Sequence, residues 1–226
     1  MMHFSDMFVQ LWETGTFQRA IWETVYMTFI STALAYAIGI PLGVLTCVTE
    51  KGSLRPIPWL NRVLSILINI FRSIPFIILM VTMLPVAKWT VGATTGPAAM
   101  IVMLVVAAAP YVARMVEGAV KEVDPGVIEA AKSMGSSNFR IVTRVLLPEA
   151  RPSLLNGAVI SLVTVLSYSA MASTINGGGL GQIAIIYGHQ RFNDDVTWIC
   201  CILLVVIVQI IQEVGVRVVR ASDRRK

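Results

Sequence analysis

The sequence predicts an all-α integral membrane protein with five membrane-crossing helices, and three observations carry that prediction. Hydrophobic residues make up 56% of its 226 positions and charged residues only 14%, against roughly a quarter in soluble domains. The mean hydropathy of +0.74 leaves more apolar side chain than one aqueous core could bury. These residues also fall into runs long enough to cross about 30 Å of hydrocarbon, which takes roughly 17–25 residues at 1.5 Å each.

The first segment, 1–20, reads as interfacial. Phe4, Met7, Phe8, Leu11 and Trp12 share one helical face and Asp6, Gln10 and Glu13 another, the pattern of a helix lying at a membrane surface; a disordered apolar tail is the alternative. No Lys or Arg precedes Arg19, so the first apolar run lacks the basic flank of a cleavable signal peptide and is expected to be retained.

A membrane domain is expected over 21–212, with spans at about 25–48, 63–87, 98–113, 154–172 and 196–216, followed by a C-terminal end over 213–226. The second span carries one charge, Arg72. Between the fourth and fifth, Asn176 and the glycines at 177, 178, 179 and 181 signal a turn. The following IAIIYGHQRF is too short to cross again and is expected to dip back or lie flat. Cys47, Cys200 and Cys201 all lie in apolar runs, without disulfide or zinc spacing, and read as small apolar residues.

The cations set the topology and exclude nucleic acid as a partner, because they sit between apolar runs and form no stripe with interleaved aromatics. One side collects Lys51, Arg55 and Arg62, then Arg114, Lys121, Lys132, Arg140, Arg144 and Arg151, then Arg217, Arg220, Arg224, Arg225 and Lys226; the other has Arg19, Lys88 and Arg191. The N-terminus is therefore expected outside and the C-terminus in the cytoplasm.

The cytoplasmic stretch VDPGVIEAAKSMGSSNFRIVTRVLLPEARP, from Val123 to Pro152, predicts a helix-turn-helix. Asp124 and Pro125 form a helix start. Gly135 fits the left-handed position that ends it, Ser136 or Ser137 caps the next helix, and Pro148 is expected to stop that one. Two uses of the amphipathic pair stay open: docking against the ends of its own spans, or docking against a partner.

Glu129-Ala130-Ala131, three residues, Gly135, nine residues, then Val145, Leu146, Leu147-Pro148 resembles the EAA loop of the membrane-spanning subunits of ABC importers. One position departs, Val145 standing where the family usually has Ile. The resemblance implies a type I ABC importer fold in a bacterial plasma membrane, with this loop as a coupling helix seated in a cytoplasmic ATPase. It assigns the ATPase interface to Glu129, Ala130, Ala131, Met134, Gly135, Leu147 and Pro148.

The resemblance runs from about Ile21 to Gln212. NIFRSIPFIIL, YVARMVE, SYSAMAS, GGGLG and YGHQRF are similar to the methionine-type branch, whose members are five-span homodimers served by two ATPase copies and an extracytoplasmic methionine-binding protein. In that branch the SYSAMAS region lines the translocation path, with Met171 as a gate and Tyr168 beside it. Small residues there also suit close packing of spans, and Met is ordinary core filler. D- and L-methionine are not distinguished by this chain.

Arg72, inside the second span, has two readings. An intramembrane charge is a functional candidate, but with Pro75 three residues on, its structural use is to neutralise carbonyls freed by a kink or to snorkel to the surface; the structural use is favoured. The chain has no GxxxxGK[ST] phosphate loop, so ATP and Mg are expected in a partner, with no cofactor or metal bound here and no catalysis by this chain. A secondary transporter is disfavoured by the lack of repeated halves, and an intramembrane hydrolase using a fourth-span serine with His189 by their sequence settings.

Overall fold

Residues 4–222 are described in a computed structural model, and every regular element among them is helical. In chain order these are α1 (Phe4–Glu13), α2 (Thr16–Thr49), α3 (Pro58–Ser73), α4 (Phe76–Thr82), α5 (Leu84–Val91), α6 (Gly96–Lys121) and α7 (Pro125–Ser133). There follow α8 (Asn138–Ile141), a π-helical turn (Val142–Leu146), α9 (Leu147–Glu149), α10 (Arg151–Ser169) and a 3₁₀ turn (Ala170–Ile175). The chain finishes with α11 (Gly179–Ile183), a second π-helical turn (Ala184–His189) and α12 (Asp194–Ser222).

Four of these segments are long and apolar enough to cross a membrane unaided: Thr16–Thr49, Gly96–Lys121, Arg151–Ile175 and Asp194–Ser222. The fifth is a broken pair, Pro58–Ser73 with Phe76–Thr82, which corrects the expectation of one helix over 63–87. Ile74 and Pro75 are both extended, at ψ 125° and 135°. Proline drives the residue before it out of the helical region and offers no N–H to continue the ladder.

Each remaining span is longer than its apolar run. Helix α6 continues past Ala113 through Arg114, Glu117 and Lys121, because those charges pair with one another along the helix at spacings of three and four. Apolar runs mark where lipid stops, not where helical hydrogen bonding stops. Proline is tolerated inside α2 at Pro41 and inside α6 at Pro110. The fourth span tightens into the 3₁₀ turn and ends at Asn176, in the left-handed conformation at φ 50°, where the expected turn lies.

The helices gather into two compact units, to both of which α2, α6, α10 and α12 contribute. The first unit contains the described chain up to Ala33, with Pro75–Val106 and Leu162–Glu213. Leu11, Phe17 and Ala20 pack there with Leu180, Ile183, Val196 and Cys200. Leu11 of α1 is thus buried in protein while Trp12 is half exposed; the side chains of Phe4, Met7 and Phe8, and His3 altogether, lie outside the described residues.

Within this unit the glycine turn is locked from α2. The Gly179 N–H donates to Glu23 Oε2 at 2.9 Å and the Leu180 N–H to Thr24 Oγ1 at 2.9 Å. A Cβ on Gly179, at φ 81°, would lie 2.8 Å from Thr24 Oγ1, so only glycine admits both the backbone conformation and the approach.

The second unit contains Leu34–Ile74 and Ala107–Ser161 with the chain from Val214. Its α2 and α6 meet through glycine: a Cβ on Gly43 would lie 2.4 Å from the Ala113 carbonyl oxygen and 2.7 Å from Val116 Cβ. Small residues permit such backbone contact between spans, where lipid supplies no hydrophobic drive for association. The Asn61 side chain also donates to the Thr46 carbonyl at 2.7 Å, tying α3 to α2.

Candidate functional site

The helix-turn-helix of the second unit forms as its caps dictate. Asp124 Oδ1 accepts from the Gly126 N–H at 2.7 Å, with Pro125 opening α7. Gly135 takes φ 74°, and Ser137 Oγ accepts from the Arg140 N–H to start α8. The expected stop at Pro148 does not occur. The Leu147 N–H reaches back five residues to the Val142 carbonyl, and this wider turn accommodates the proline ring, so helical structure runs on through α9.

Side-chain exposure divides the pair. Ala131, Ile141 and Leu146 are buried and face inward. Met134 is 78% exposed and Phe139 79% exposed, either side of the Gly135 turn. A Cβ on Gly135 would meet nothing within 4 Å. The tip of the turn is therefore an apolar knob with open space around it, which suits docking into another surface.

The expected interface residues do not all share that tip. Glu129 and Ala130 are exposed while Ala131 is buried, and Glu129 with Lys132 lines a cleft of about 340 Å³ beside Lys51, Gly52 and Ser53 of the first loop. Leu147 and Pro148 lie on α9, past the π-helical turn. Asn138 reinforces the inner side, its amide donating to the Leu54 carbonyl at 3.2 Å.

Below this loop the second unit holds a charge network centred on Glu117. Glu117, 8% exposed, accepts from Arg114 Nη1 at 2.6 Å and from Lys121 Nζ at 2.9 Å. Lys121 also pairs with Glu50 at 2.7 Å, and Arg114 Nη2 donates to Asn69 Oδ1 at 3.0 Å. A carboxylate held by two cations and the Thr46 hydroxyl, at 3.4 Å, is a compensated charge. It ties the ends of α2, α3 and α6. Glu117 in an apolar run with cations three before and four after was the readable signal; the chain-distant partners Glu50 and Asn69 were not.

Tyr168 and Met171 lie in the first unit. The Tyr168 ring stacks on Phe76, centroids 4.7 Å apart and planes 7° from parallel, so NIFRSIPFIIL and SYSAMAS meet here through a contact neither segment announces alone. Met171, in the 3₁₀ turn, is 44% exposed, and its carbonyl accepts from Thr174 Oγ1 at 2.9 Å. Tyr168 is thus anchored by an aromatic partner, whereas Met171 is half exposed. Arg72 is exposed in the last turn of α3, just before the break, where a cation complements the helix carbonyl end.

Residues 35–225 match the family described as binding-protein-dependent transport system inner membrane component. The chain is 49% identical over 207 residues to a probable D-methionine transport system permease protein of Vibrio cholerae, covering 91% of this chain and 92% of that one. It is 44% identical over 207 residues to the methionine import system permease protein of Bacillus subtilis, covering 92% and 93%. Among solved structures it matches the inward-facing methionine ABC transporter MetNI with TM-score 0.91 and 47% identity, over 94% of this chain and 98% of that chain. An amino acid ABC transporter shares the fold at TM-score 0.77 and 20% identity, over 96% and 98%.

Proposed function

Because this chain belongs to the family of binding-protein-dependent transport system inner membrane components, we propose that it is the permease subunit of an ATP-driven importer of methionine, coupled to its ATPase through the α7–α8 turn. The family makes it a multi-pass component of a bacterial inner membrane, with a transport role. Identity near one half to methionine permeases across almost the whole chain supports the substrate.

The observation that carries the coupling is the apolar tip at Met134, Gly135 and Phe139. Two large apolar side chains held out on a capped turn have no packing partner among the described residues, and they suit a groove in a second protein. In this reading the second protein is a cytoplasmic ATPase, which binds the ATP and Mg and performs the hydrolysis. Two copies of this chain pair around a central path, one ATPase beneath each, and an extracytoplasmic methionine-binding protein delivers the solute. Asn138 ties the start of α8 to the first loop through the Leu54 carbonyl, so that ATPase closure, pushing at the tip, moves the ends of the spans.

Met171 then closes the path as a flexible plug beside the anchored Tyr168, and Arg72 serves the carbonyl end of α3. The N-terminus lies outside and the C-terminus in the cytoplasm. This chain needs no cofactor of its own for any of these roles.

ATP-dependent uptake of labelled methionine into proteoliposomes, with the candidate ATPase and binding protein, tests the proposal. Wild type is expected to transport. Gly135→Asp, whose Cβ meets nothing within 4 Å and whose φ of 74° aspartate adopts at a cost of about 1–2 kcal/mol, is expected to assemble and to lose uptake by at least tenfold while its ATPase still turns over. Uptake undiminished in that variant overturns the coupling role, and transport of other amino acids without methionine overturns the substrate.

A further inference from the structure

A cleft of about 520 Å³ lies in the second unit where the start of α10 meets the end of α12. It is separate from the exposed tip and from the Glu117 network. The two helices are fixed beside one another by Gly215, where a Cβ would come within 2.4 Å of Val159 Cγ2. Arg144, Glu149, Arg151 and Ser222 are its polar lining. Both arginines are exposed, and neither makes an ion pair or hydrogen bond with a described residue. The Ser222 hydroxyl is buried and finds no hydrogen-bond partner among the described residues, an arrangement proteins rarely leave uncompensated. The Glu149 carboxylate is itself engaged.

Two guanidinium forks and a hydroxyl match the oxygens of a phosphate or phosphodiester. Val127, Val145, Pro148 and Pro152 add apolar lining, which a free inorganic ion would not use. Helices α10 and α12 are both long and apolar enough to span a membrane, and Arg151 and Ser222 stand at their ends on the side where the cations concentrate. The sequence continues past Ser222 as Asp223, Arg224, Arg225 and Lys226. We propose that this cleft binds an anionic phosphate group of the kind a phospholipid headgroup carries, with the glycerol and first methylenes against the apolar lining. The proposal rests on the chain spanning a membrane, and not on methionine as its substrate.

Native mass spectrometry of the full-length chain in neutral detergent, titrated with phosphatidylglycerol, phosphatidylcholine or inorganic phosphate, tests this. Wild type is expected to retain phosphatidylglycerol in preference to phosphatidylcholine. The double variant Arg144→Gln, Arg151→Gln should weaken that retention about thirtyfold, since each cation near an anionic headgroup contributes close to a factor of five. Arg191→Gln should leave it unchanged. Phosphatidylglycerol retention that resists millimolar phosphate assigns the site to lipid; displacement by phosphate assigns the same site to a soluble phosphate. Equal retention of the two lipids without any effect of phosphate, or retention unchanged in the double variant, overturns the proposal. If the double variant fails to assemble, Ser222→Val decides: retention must fall, and unchanged retention overturns the site.

Discussion

Glu117 shows how a single side chain acquires its meaning from partners far along the chain. Alone in an apolar helix a carboxylate is costly, but with Arg114 and Lys121 within 3 Å it becomes the pin between three helix ends. Removing it leaves Arg114 with Asn69 and Lys121 with Glu50, so Glu117→Ala should cost on the order of 2 kcal/mol, below the loss for a fully stranded charge. Thermal unfolding in detergent reads this as a lowered midpoint. The double variant Glu117→Ala, Lys121→Ala should lose less than the sum of its single changes, because the two residues share one interaction. Strict additivity would sink the network. At this scale the sequence was legible wherever a residue acts on its own neighbours: Asp124, Gly135 and Ser137 cap as their types dictate. Phe76 was not legible as the partner of Tyr168, since stacking across 92 positions leaves no local trace.

Helices α2 and α6 illustrate how an element's surface is decided by the residue it lacks. Gly43 sits against the backbone of Ala113, and Gly43→Ala should force the helices apart at a cost of about 1–3 kcal/mol. Gly118, on the exposed side of α6, has nothing within 4 Å; Gly118→Ala should gain up to about 1 kcal/mol from helix propensity alone. Opposite shifts in thermal midpoint are the expected outcome, and equal shifts would show that glycine acts here through the unfolded chain rather than through contact. The same logic explains where the expected element bounds failed. Proline broke the second span at Ile74 but did not stop the helix at Pro148, because a π-helical turn was available at Val142–Leu146 to absorb the missing donor. Sequence alone does not distinguish these two prolines.

Across the whole molecule, cation placement sets the expected orientation of the chain. In a background with Cys47, Cys200 and Cys201 replaced, Thr90→Cys should react with an impermeant maleimide in intact spheroplasts, and Lys51→Cys only after permeabilisation. Both positions are exposed, so failure to react cannot be ascribed to burial, and the reverse pattern would invert the topology. Large apolar side chains remain uncovered on α12, among them Ile202, Val205 and Ile210. Lipid or a second copy of the chain is the surface that accepts them.

The sequence by itself determined the all-helical membrane class, the turns at Gly135 and Asn176, the capped helix that follows Asp124 and the family resemblance. Each depends on composition, on periodicity or on a residue's effect on its immediate backbone, and such information is complete within a few positions. Only the tertiary structure decided that Glu50 and Asn69 complete the network around Glu117, that Glu23 and Thr24 clasp the glycine turn, and that Arg144, Arg151 and Ser222 share one cleft. These depend on which distant group satisfies a charge, a free N–H or a missing Cβ, and that choice exists only once the chain has brought its remote segments together.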